Sequence, residues 1–87
     1  MDIQTGDIVR ATAGRDKNKV FIVTEIVSEN LIKICDGVSR KIEKPKLKKK
    51  MHVSKLSGDG RRELEELLKG TPGEADSHIR TYLKQFK

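Results

Sequence analysis

The chain has very few aromatic residues. Phe21, Tyr82 and Phe86 are the whole set, and there is no tryptophan. Any core must therefore be filled by Val, Ile and Leu, and an aromatic cage for a methylated lysine lacks its components. Cys35 is the single cysteine, so no internal disulfide forms. It has no second cysteine and no nearby histidine, so no zinc ligand set is expected and no metal is implied. No apolar run approaches the roughly 18 residues of a membrane span. Asp2, Asp7 and Arg10 interrupt any apolar start, so neither a signal peptide nor a membrane partner is expected. A reducing cytoplasm is the expected compartment. No Ser/His/Asp order, paired carboxylates or phosphate-cradling glycine loop stands out, so neither enzymatic activity nor a cofactor is expected.

Positive charge is what the chain does hold, and it is concentrated. The net charge is +6 over 87 residues. Residues 1–37 are net −1 and residues 56–87 net 0. Residues 38–55 carry Arg40, Lys41, Lys44, Lys46, Lys48, Lys49, Lys50 and Lys55 against Glu43 alone, a net of +7. Lysines kept only for solubility would be spread out. A block of one sign reads as a surface for an anionic polymer.

The apolar pattern predicts a mainly β fold followed by helices. Residues 6–13, "GDIVRATA", alternate, and both faces carry apolar residues. Residues 14–19, "GRDKNK", have turn chemistry. Residues 20–27, "VFIVTEIV", are the strongest strand signal. "SEN" at 28–30 makes a short connection in which Asn30 tolerates a left-handed backbone, and "LIKIC" at 31–35 returns. After the tight-turn pair Asp36-Gly37, "VSRKIEK" at 38–44 reads as a fourth strand that Pro45 ends. "KKMHVSKL" at 49–56 reads as a closing strand. Local hairpins are the simplest connectivity. Together these predict a small antiparallel barrel of about five strands over residues 1–56.

Over residues 57–87 the period changes to 3.6. Leu64, Leu67 and Leu68 mark a first helix, with Asp59 as a cap and Gly70 as a stop. Thr71, Pro72 and Glu74 form a capping box and begin a second helix with the stripe Ala75, Ile79, Tyr82, Leu83, Phe86. Neither helix is stable alone at that length. Covering an open barrel edge, or a partner, is the expected use of their apolar faces.

The stretch "GDIVRATAGRDKNKVFIVTEI" at 6–26 resembles a KOW motif. Gly6-Asp7 leads a strand, Gly14 sits in the loop, Asp16-Lys17 follows, and a hydrophobic run begins at Val20. "ICDGVSRKIEKPKLKKKMHVSKL" resembles the remaining barrel of the KOW-domain large-subunit ribosomal proteins of archaea and eukaryotes and their small bacterial relatives. The resemblance covers residues 4–56 and implies an SH3-like barrel that binds RNA. The implied partners are ribosomal RNA in particular and the ribosome or transcription machinery. Asn18 departs from the glycine common in such loops, yet asparagine is the next best residue for a positive φ. Residues 57–87 match nothing in the family.

The candidate contact residues follow. Gly14 either lets loop backbone approach a phosphate, with Arg15, Lys17 and Lys19 projecting beside it, or only permits a tight turn that those charges solvate. The lysines of "KPKLKKK" at 44–50 admit four readings: a solvated loop, a nuclear address, a membrane patch or a phosphate clamp. The membrane reading lacks interleaved apolar residues. Missing acids and the adjoining strands favour phosphate for Lys41, Lys44, Lys46, Lys48, Lys49 and Lys50. Arg15 and Arg40 suit planar contacts. His52 either stacks on a base or is a half-buried strand residue. The alternative function is a protein-interaction adaptor docking through the C-terminal helices.

Overall fold

A computed structural model describes residues 2–87. Five antiparallel strands come first: β1 (Ile8–Ala11), β2 (Val20–Ile26), β3 (Leu31–Cys35), β4 (Lys46–Lys49) and β5 (Val53–Ser57). Two helices follow, α1 (Arg61–Leu67) and α2 (Pro72–Leu83). The fold is mainly β with two C-terminal helices, as the periodicity predicts.

The sheet order is β4-β3-β2-β1-β5. The first four strands form a chain of hairpins. β5 departs from that pattern by crossing to the far side and pairing with β1, Ala11 opposite Val53 and Val9 opposite Lys55. The two edge strands are thus consecutive in the chain, joined by one 3-10 turn at Lys50–His52. Four residue steps reach about 14 Å, whereas the outer strands of a flat five-strand sheet would lie about 19 Å apart. The sheet must therefore curl. It does not close into a barrel, because β4 and β5 share no ladder among the described residues.

Curling gives the sheet two buried faces. On the inner face Val9, Ala11, Phe21, Val23, Ile32, Ile34 and Val53 form one cluster with Ile3. On the other face Ile8, Val20, Ile22 and Cys35 pack with Leu64, Leu67, Ala75, Ile79 and Leu83 of the helices. The apolar residues on both sides of β1 and β2 have this cause. The helices cover the flat of the sheet rather than an edge. Burying a side chain such as Ile79 or Leu83 is worth about 2 kcal/mol.

α2 begins as predicted. Thr71 Oγ1 accepts from the Glu74 amide at 3.2 Å, and the Glu74 carboxylate accepts from the Thr71 amide at 3.4 Å. Pro72 occupies the first turn. α1 differs from expectation: Gly60, not Asp59, is its N-cap, without a side-chain hydrogen bond. Leu68 lies just past its end and is 58% exposed.

The fourth strand also differs. Residues 38–44 form a loop, and β4 starts after Pro45 instead of ending before it. Asp36 folds the loop back on itself: its Oδ1 accepts from the amides of Val38 and Arg40, both at 2.9 Å. Ile42 then donates its amide to Asp76 Oδ1 of α2 at 2.7 Å. The loop is tied to the helix and unavailable for a ladder. Gly37 has φ +78, and a Cβ there would strike the Asp76 carbonyl. Only glycine admits so close an approach of α2.

Candidate nucleic-acid interface

The site is built from three pieces: the β1–β2 loop at 12–19, the β3–β4 loop at 36–45, and β4 with its following turn. The first loop is shaped by two left-handed residues, Gly14 with φ +83 and Asn18 with φ +74. Asn18 therefore takes the conformation that a glycine would supply. It is the only non-glycine with positive φ among the described residues, so Asn30 does not use its left-handed tolerance. The Asn18 amide donates to the Ala11 carbonyl at 2.8 Å and closes the loop.

Period-two alternation divides the lysine run. Lys46 and Lys48 stand opposite Ile34 and Ile32, whose side chains line the inner cluster. They therefore share its face. Lys48 is only 8% exposed, and its ammonium donates to the Ala13 carbonyl at 2.9 Å. Lys46 reaches Asp16 at 3.1 Å. These two side chains lash β4 to the β1–β2 loop. The inner face is thereby bridged by side chains instead of a ladder. Leu47 and Lys49 point the opposite way and are exposed.

Asp16 is the hub of this junction. It is 3% exposed and meets Lys46, Arg40 at 3.3 Å and Lys19 at 3.6 Å. Burial alone would raise its pKa; hydrogen bonds and attraction from Lys46 and Arg40 outweigh that and hold the carboxyl below its usual range. The guanidinium of Arg40 keeps one buried nitrogen, Nε, without a partner.

The predicted contact residues thus fall into two groups. Arg40, Lys46, Lys48 and Lys19 face inward or toward Asp16 and hold the loops together. Arg15, Lys17, Lys41, Lys44, Lys49 and Lys50 have no acidic partner within salt-bridge range among the described residues. All six are exposed except Lys50, which is half-buried. Lys55, the remaining lysine of the basic block, pairs with Asp7 at 3.2 Å. Gly14 is exposed, and the space above it faces the Lys48 ammonium, 3.4 Å from where a Cβ would stand. His52 is half-buried in the 3-10 turn, and its carbonyl accepts from the Thr12 amide at 2.8 Å. The turn after β4 is thereby fixed against the β1–β2 loop.

Sequence reasoning did not single out Asp16 as the organiser. The signal lay in its place as the only acid of residues 8–24, but its partners stand up to 30 positions away. Elsewhere, His78 of α2 contacts Glu63 of α1. Burial, with Asp76 and Asp36 nearby, pushes the Cys35 thiol up to about 12. No group of three or more His, Cys, Asp or Glu that could hold a metal occurs among the described residues. No helix among them is long and apolar enough to cross a membrane. The helical stripe Ala75, Ile79 and Leu83 is buried against the sheet, which leaves Leu68 as the exposed large apolar side chain of the helical segment.

No protein-family model matches the chain, and no curated protein matches it either.

Proposed function

We propose that the protein is a non-catalytic RNA-binding protein of the cytoplasm. It holds structured RNA, ribosomal RNA in the first place, by the phosphate backbone, in association with the ribosome. One observation carries this reading: six cations without acidic partners among the described residues stand on two loops and on β4 with its following turn, which ion pairs to Asp16 and backbone hydrogen bonds fix in place. A solvated lysine loop needs no such scaffold. A preorganised array loses little entropy on binding, so its attraction for a polyanion is retained. Lysine contributes point charges without bidentate geometry, which favours backbone over base contact.

The test is a fluorescence-anisotropy titration against a structured RNA at several salt concentrations. With about five phosphates neutralised, log K falls with log salt at a slope of about −3.5 to −4.5. The combined replacement of Arg15, Lys17, Lys49 and Lys50 by Glu removes most of that slope and leaves the melting temperature unchanged. A salt-independent affinity, or no binding at low salt, overturns the proposal.

A further inference from the structure

The β2–β3 connection meets the turn after β4 at one corner of the molecule. The Lys50 amide donates to the Asn30 carbonyl at 2.9 Å, and Leu31 stands opposite Lys49 in the ladder. Between them opens a cavity of about 450 Å³ lined by Asn30, Leu31, Lys49 and Met51. Met51 is 78% exposed, the most exposed large apolar side chain among the described residues. It belongs to neither hydrophobic cluster. Lys49 and Lys50, without an acidic partner among the described residues, precede it in the chain.

We propose that this cavity receives a single unpaired nucleobase of the RNA whose phosphates the cationic surface holds; the inference rests on that reading. Each lining group has a part. The polarisable thioether of Met51 lies against the aromatic ring of the base. Leu31 supplies the second apolar wall. The exposed Asn30 amide carries a donor and an acceptor together, the pairing that a base edge presents. Lys49 and Lys50 hold the phosphates on either side of the extruded nucleotide. Charge complementarity selects this occupant. An amphipathic helix needs a row of apolar anchors at i, i+3/i+4 and i+7, and the cavity has two apolar side chains beside uncompensated lysine. Single-stranded bulges and loops are the RNA elements whose bases are free to be splayed out in this way.

The experiment compares a fully paired RNA hairpin with hairpins carrying one unpaired nucleotide, for each of the four bases. Wild type, Met51→Ala and Asn30→Ala proteins are titrated with each. Wild type prefers at least one bulged hairpin by about two- to tenfold. Met51→Ala and Asn30→Ala bind the paired hairpin as wild type does and lose the preference. Both side chains are exposed, so melting curves of the variants overlay that of wild type. Equal wild-type affinity for paired and bulged hairpins, or a preference that survives Met51→Ala, overturns the base pocket while phosphate binding stands. Failure to bind any hairpin at low salt removes both.

Discussion

Asp16 shows how one residue redirects several others. Four of the basic side chains that composition assigns to a surface are instead fasteners, three of them on this carboxylate and Lys48 on a backbone carbonyl. Asp16→Asn keeps the shape and removes the charge, leaving Lys46, Arg40 and Lys19 to repel one another. We expect a loss of about 1–2 kcal/mol at neutral pH, less than a fully buried pair would give because the cations are partly hydrated. The pH dependence follows from the lowered pKa. The contribution of Asp16 is complete above its ordinary value of 3.8 and is lost as pH falls through the lower folded value. Urea denaturation of both proteins from neutral pH to about pH 2 checks this: the gap between them narrows toward acid. A gap independent of pH would contradict it. From sequence the density of lysine was plain, but its division was not. The alternation that turns Lys46 and Lys48 inward needs the true start of β4, and Asp16 is distant in the chain.

At the scale of elements, legibility tracked the number of apolar residues. β2, β3 and α2 were readable because burial on one or both faces leaves a period in the sequence, and the capping box marks where α2 begins. β4 was not readable. Its only apolar residue, Leu47, is exposed, so its strand character comes wholly from pairing with β3. Residues 38–44 misled in the opposite sense, since Val38 and Ile42 imitate an alternating strand while Asp36 and Asp76 capture their backbone amides. The seat of α2 on this loop depends on Gly37. Gly37→Ala adds a methyl group where the helix backbone already lies and strains a positive φ, so it destabilises by about 3 kcal/mol. Thermal unfolding measures this, and a shift no larger than that of an exposed loop substitution would show that the contact is dispensable.

For the molecule as a whole, the sheet does two jobs at once. Its inner face and its helix-covered face are both apolar, which the mixed faces of residues 6–13 had hinted. The helices are therefore part of the core rather than an appendage to it. The curled topology itself was beyond sequence reasoning, because hairpins are local and the pairing of β5 with β1 spans more than 40 residues. This layered arrangement ties the β3–β4 loop to the helical layer, where Asp76 of α2 accepts from the Ile42 amide.

The sealed position of Cys35 equips the molecule with a gauge of its own breathing. The sulfur sits where sheet and α2 meet, so a thiol dye reaches it only after the layers part. Labelling kinetics under native conditions then report how often they do. A protein loosened at Gly37 by about 3 kcal/mol should react about a hundredfold faster, while one altered at Met51 should keep the wild-type pace.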